Sequence, residues 1–166
     1  SVRQFNGKGV RGFSAKRVLE EIDYVYNDLG IKQIEVIDDD FSHNRERTLD
    51  IFNGLIKRNY DLEWSIQHGI RLTTLTDEVM HAMVLAKCKM IAIGVESGND
   101  ESLKIIKKPM SVKLLYSKSE LFKRHPELYV RGNWIVGFPF EDDSQTMNTF
   151  KVANEIGFDW NQFNVF

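Results

Sequence analysis

Five apolar, partly β-branched runs, each parted from the next by a stretch of helix length, constrain this chain more than any other feature. IKQIEVID, LEWSIQ, KMIAIGV, LYVRGNWIVGF and WNQFNVF have strand character. Ser14 can cap a helix through about Leu29, with Val18, Leu19, Ile22, Val25 and Tyr26 on one face and Gly30 to stop it. Asn44 to about Lys57 is helical by the recurrence of Leu49, Ile51, Phe52, Leu55 and Ile56. Thr76 can cap a further helix to about Lys87, and Ser111 to about Arg124 is another, which Pro126 cannot continue. DSQTMNTFKVANEI is helical up to Gly157. Strands joined by helix-length crossovers lie parallel, and the crossovers are right-handed. The reading is an α/β chain with a parallel sheet.

Two architectures fit that pattern, an open doubly wound sheet and part of a (β/α) barrel. In both, chemistry gathers at the carboxyl ends of the strands. The 166 residues are enough for one domain with a real core, and no linker, repeat or low-complexity segment divides them. A formal charge of −2 gives no general drive toward nucleic acid, and no apolar run is long enough for a membrane span. The start lacks a signal-peptide core, so a cytoplasmic setting is the default, and it lacks Met, which suggests a piece of something longer. The single cysteine, Cys88, excludes an internal disulfide and any site of several thiolates made by this chain alone.

The strand ends can be taken in turn. Asp38, Asp39 and Asp40 end the first, where adjacent carboxylates attract a divalent metal or an ammonium group, or cap the next helix. The second leads into SIQHGIRLTTLTDE, in which Arg71 can fork onto a carboxylate or phosphate and His68 is more often structural. The third runs into GVESG, where Glu96 and Ser97 can reach hydroxyl groups and two glycines admit close backbone approach. That loop is neither GxxxxGK[ST] nor GxGxxG, which argues against a nucleoside triphosphate. The fourth ends in WIVGFPFE, with apolar residues able to cover a flat ring. Cys88 falls at an amino end, as a small buried hydrophobe, while Lys104, Lys107 and Lys108 read as solvated surface and Met80 and Met83 as core.

The succession EVIDDDF, WSIQHGIRLTTLTDE, IAIGVESGNDESLKIIKKPM and GNWIVGFPFEDD resembles the radical S-adenosylmethionine (SAM) superfamily, in the branch that often carries an upstream cobalamin-binding domain. The resemblance implies a partial (β/α) TIM-like barrel, with about five of the family's six core strands present. It implies SAM and a [4Fe–4S] cluster as cofactors, with cobalamin a candidate in an upstream domain. In this family the cluster, held by CxxxCxxC, reductively cleaves SAM to a radical that abstracts hydrogen from substrate. By the same resemblance Asp38 and Asp39 face the SAM ammonium, and Arg71 its carboxylate. Glu96 and Ser97 face the ribose; Ile135, Val136 and Gly137 lie against adenine.

Some positions depart from the family pattern. Asp40 stands where many relatives have Asn, Thr73 replaces an acidic residue of the RxD pattern, and Phe140 takes the glycine of GxPGE. CxxxCxxC is absent from the 166 residues. SVRQFNGKGVRGFSAKRV resembles the segment that follows the third cluster cysteine, so the cluster cysteines are expected upstream of Ser1. The expectation is a radical SAM core domain over residues 1–166 that lacks its first strand and cluster loop. The chain alone is then expected to be inactive, with an unknown substrate and an upstream domain of the same polypeptide as partners. An exposed sheet edge would make a homodimer. The competing readings are a divalent-metal carboxylate enzyme built on Asp38–Asp40 and Glu96, and a cluster-less scaffold that binds a partner.

Overall fold

The computed structural model describes residues 12–38 and 41–166. The elements run α1 (Ala15–Asn27), β1 (Gln33–Val36), α2 (Arg45–Arg58), β2 (Glu63–Ile70), a 3₁₀ turn (Leu72–Thr74), α3 (Asp77–Leu85), β3 (Cys88–Glu96), α4 (Asp100–Ile105), α5 (Val112–Lys123), β4 (Tyr129–Val136), α6 (Asp143–Ile156) and β5 (Trp160–Val165). The five strands form one sheet in the order β1-β2-β3-β4-β5. Every pairing is parallel. A doubly wound sheet reverses its strand order; an unbroken order with right-handed crossovers keeps all the helices on one side, as in a barrel wall. Of the two architectures open to the sequence, the barrel type is the one formed.

Local chemistry sets the helix boundaries. Ser14, Asn44, Thr76 and Ser111 each accept a hydrogen bond from the backbone N–H three residues on, which satisfies a donor that the first turn leaves unmade. Asp142 and Gln145 form a reciprocal capping box on α6, and Gly157 ends that helix at φ 75°. α1 ends at Asn27, and the chain turns out of it through Gly30 at φ 68°, with Leu29 N–H bonded to Tyr24 O and Ile31 N–H to Val25 O. α4 was not anticipated by the periodicity, since its six residues are too few to show a repeat.

The core lies between the sheet and the helices. Ile91, Ile93 and Val95 alternate on the helix side of β3 and are fully buried, against Met80 and Met83 of α3 and Leu115 of α5. Trp64 donates from Nε1 to Ala86 O at 2.6 Å, and Trp134 from Nε1 to Asn161 Oδ1 at 2.8 Å. Both indoles are thereby buried with their polar atom satisfied. β2 continues to Ile70, beyond its expected end. Its register slips there, with Ile66 opposite Ile91 but Ile70 opposite Ile93, so the strand bulges before its carboxyl end. Among the described residues, no helix is long and apolar enough to cross a membrane.

Candidate functional site

The register puts polar residues on the side of the sheet away from the helices. Arg131, Asn133 and Ile135 of β4 share that face with Trp160, Gln162 and Asn164 of β5, their register partners. Ala92 and Gly94 of β3 stand opposite Arg131 and Asn133. The next residues over, Gly132 and Trp134, take the helix side, where the Trp134 ring packs on Phe158 and Phe163. Asn133 Oδ1 is shut off from solvent with no hydrogen-bond partner among the described residues.

At the carboxyl end of β3 the chain makes an abrupt bend. Glu96 has φ 73°, a left-handed conformation rare for a residue with a side chain, and the β3–β4 register slips between Gly94 and Glu96. The bend turns the Glu96 carboxylate back over Gly94. A Cβ at Gly94 would stand 2.8 Å from Glu96 Oε1 and 3.0 Å from Lys108 Nζ, so a larger residue there would displace the ends of both side chains. Lys108 donates to Glu96 Oε1 at 2.8 Å, with both side chains half-buried. The lysine is delivered by the end of α4: Lys107 N–H bonds Lys104 O and Lys108 N–H bonds Leu103 O, with Lys107 at φ 58°. This is a Schellman closure with lysine in the place usually held by glycine. By its charge and position in the sequence Lys108 is expected on the surface; the signal for its role is KKP at the end of a short helix, which gains meaning only once that helix closes against β3.

Ser97 is fully buried, and its hydroxyl is spent within the protein. It donates to Glu141 Oε1 at 2.8 Å and accepts from the backbone N–H of Asn99 at 3.2 Å. Asn99 Nδ2 reaches Gln145 O at 2.8 Å and Thr149 Oγ1 at 3.2 Å, and Gly98 N–H donates to Thr149 Oγ1 at 3.0 Å. Gly98 packs so closely that a Cβ there would meet Thr149 Cα at 2.7 Å. This network ties the GVESG loop to the start of α6. Of the Glu96-Ser97 pair, Glu96 alone turns its side chain onto the open face.

β4 leaves the sheet through Gly137 at φ 80°. Ile135 and Val136 are half-buried beside it. Phe138 folds under, stacked on Phe140 at 5.0 Å and 14° and tilted against Phe166 at 5.2 Å. Phe140 thus forms an apolar shelf at the rim. Arg71 is exposed at the end of β2, its backbone N–H held by the buried Ser42 Oγ at 3.0 Å. Asp38 follows β1 and is half-buried, while Asp39 and Asp40 lie outside the described residues. His68 is exposed on β2.

The cluster cysteines are expected upstream of Ser1, and Ser1 itself, with the rest of residues 1–11, lies outside the described residues. The described thiol is no substitute. Cys88 opens β3 at the amino end, far along the strand from this rim, and burial pushes its thiol pKa up to about 12. Enclosed at that end of the strand, the thiol is out of reach of a cluster at the rim. Among the described residues no three His, Cys, Asp or Glu side chains come together as a metal site.

A parallel barrel wall with its polar residues on the inner face and at the strand ends is a common architecture, so family membership rests on the sequence match. The radical SAM superfamily model matches residues 3–153, and the chain belongs to that superfamily. It is 31% identical over 159 residues to an uncharacterized methyltransferase, PH0819, of Pyrococcus horikoshii, covering 96% of this chain and 34% of that protein. It is 25% identical over 163 residues to the cytidylyl-2-hydroxyethylphosphonate methyltransferase of Streptomyces wedmorensis, covering 93% of this chain and 30% of that one. The radical SAM methyltransferase TsrM of Kitasatospora setae, solved with cobalamin and a [4Fe–4S] cluster, superposes with a TM-score of 0.81 at 12% identity, over 96% of this chain and 32% of that one. The chain therefore spans about a third of the length of these relatives.

Proposed function

We propose that the rim of this sheet binds S-adenosylmethionine and that the chain is the cofactor-binding part of a radical SAM methyltransferase. The observation that carries the reading is the Glu96 carboxylate, turned over Gly94 and held by Lys108, beside the unpartnered Asn133 Oδ1. Two acceptors on adjoining strands suit the two donors of a ribose diol, and Asn133 joins Glu96 in that role. Ser97 supports Glu96 by fixing the loop behind it. Ile135, Val136 and Gly137, with the Phe138–Phe140 shelf, offer a flat apolar surface to adenine. Asp38 and Asp39 take the ammonium of the methionine moiety; Arg71 takes its carboxylate.

A [4Fe–4S] cluster, held by thiolates outside these residues, would supply the electron for reductive chemistry on SAM. These residues fit SAM but not the cluster, because the only cysteine is enclosed at the wrong end of β3. The cluster thiolates, and any cobalamin, come from elsewhere in the polypeptide, with the segment before Ser1 the place expected for the thiolates. This chain alone binds SAM without cleaving it. An unpaired thiol and a reducible cofactor suit the cytoplasm. A divalent-metal site on Glu96 is the weaker reading, since the Lys108 ammonium 2.8 Å away repels a cation.

Calorimetry with S-adenosylhomocysteine, which has no methyl group to react, tests the reading. One site per chain is expected, weakened about tenfold (1.4 kcal/mol) by Glu96→Gln. No binding, or binding that Glu96→Gln and Asn133→Ala leave untouched, would reject it. SAM cleavage by this chain after iron–sulfide reconstitution would reject its inactivity alone.

A further inference from the structure

Two residues along β4 from Asn133, toward the amino end, the same face carries a cation for which the cofactor has no use. Arg131 is half-buried, between Ala92 of β3 and Trp160 of β5 in register. Its hydrogen bond runs from Nη2 to Gln67 Oε1 of β2 at 3.4 Å, near the limit of such a bond. Its Nε is closed off from solvent and has no partner among the described residues. Other guanidiniums have closer partners: Arg58 with Asp23, Arg45 with Glu78, Arg124 with Asp77, and Arg47 with the carbonyls of Phe13 and Phe41. No carboxylate among the described residues pairs with Arg131. A strand residue set between Ala92 and Trp160 has no structural need for five donors and a fixed charge, and leaving the enclosed Nε unmet is costly.

We propose that Arg131, oriented by Gln67, binds an oxyanion carried by the substrate, a carboxylate or a phosphate. A planar fork of donors matches two oxygens of either group. Docking draws the guanidinium off its long contact with Gln67, so that Nε and a terminal nitrogen both find acceptors. The Gln67 amide nitrogen is a further donor. Trp160, 57% exposed beside Arg131, gives the body of the molecule an apolar flank. Two strand residues span about 7 Å, so an anion held here is near the cofactor but separate from the ribose contacts. The inference takes from the proposed function only that the substrate meets the cofactor on this face.

The test labels the chain with ¹⁵N-arginine, assigns the Arg131 Nε–H resonance by its loss in Arg131→Lys, and titrates with inorganic phosphate and, separately, benzoate. A saturable shift of that resonance is expected, with the anion affinity lost in Arg131→Gln, at least tenfold weaker in Arg131→Lys, and severalfold weaker in Gln67→Ala. Calorimetry with S-adenosylhomocysteine should give the same affinity, within twofold, for all three variants and the unsubstituted chain. Saturation by phosphate alone assigns the phosphate, and by benzoate alone the carboxylate. No saturation with either probe, or equal binding to Arg131→Lys, overturns the proposal. Failure of S-adenosylhomocysteine to bind while the Arg131 titration stands sinks the cofactor reading and leaves this one.

Discussion

On β4, Gly132 and Trp134 turn toward the helices while Arg131 and Asn133 turn away, and the two pairs are packed by opposite rules. Trp134 is fully buried, its ring against Phe158 and Phe163 and its Nε1 bonded to Asn161. Gly132 has no room for a Cβ, which would press into the Phe158 ring, within 2.7 Å of Cε2. One residue away, Arg131 Nε and Asn133 Oδ1 are unmatched among the described residues. On this strand the helix-side residues have their packing and hydrogen bonds complete, while the open side has bonds still to make; elsewhere Ser102 Oγ on α4 and Glu141 Oε2 are also without a partner among the described residues. Natural cores leave few buried polar atoms unmatched, so two on one strand face point to a ligand.

That contrast can be broken most directly with paired substitutions on the one strand. Trp134→Ala should cost about 3–5 kcal/mol in urea unfolding, through lost contacts and the cavity left behind. Asn133→Ala should change stability by under about 0.5 kcal/mol, because Oδ1 has no native bond to lose. Equal costs would mean that the open face is also structural core. Next in size is Ser97→Ala, which leaves Glu141 and Asn99 short of a buried partner and should cost about 1–3 kcal/mol. Glu96, its neighbour, should behave in reverse: Glu96→Gln should cost under about 1 kcal/mol, the range of a partly exposed ion pair, while weakening S-adenosylhomocysteine binding about tenfold. A Ser97→Ala chain that is fully stable but cannot bind would exchange the roles given to these two residues.

The amino end of the sheet offers a titration test. The buried Cys88 thiol stays protonated to about pH 12, whereas an exposed one ionises near 9. The folded state therefore keeps a proton that the unfolded state releases, and stability should fall as pH rises from about 9 toward 12. Cys88→Ala should flatten that alkaline limb, and native Cys88 should resist iodoacetamide at pH 8. Rapid alkylation of the folded chain would show the thiol to be accessible. The smallest effect concerns β1, a four-residue strand paired on one side by β2. Weak self-association through its other edge is expected in sedimentation velocity, and one sedimentation coefficient at all concentrations would exclude it.

Much of the fold was legible in the sequence because the signals are local. Ser14, Asn44, Thr76 and Ser111 cap their helices through contacts three residues away, and the β-branched runs have no other stable use. α4 escaped notice because six residues carry no period, and β2 ran on past its expected end because a bulge depends on the register with β3. The motif order led to the superfamily and to Glu96, since both are written along the chain. Whether a polar group at a strand end faces a ligand or the protein is another matter. Ser97 and Glu96 are adjacent and both polar, yet one φ of 73° sends them to different tasks.

The sequence by itself determined the parallel α/β plan, the superfamily and the strand ends at which to look, because periodicity, capping and motif order act over a few residues or along the chain. The tertiary structure alone decided that the strand order runs unbroken, that Lys108 meets Glu96 across twelve residues, that Ser97 is used up inside the loop, and that Arg131 has no acid to answer it among the described residues. Those facts depend on which strands lie side by side and which face each residue takes, and only the packed sheet settles both.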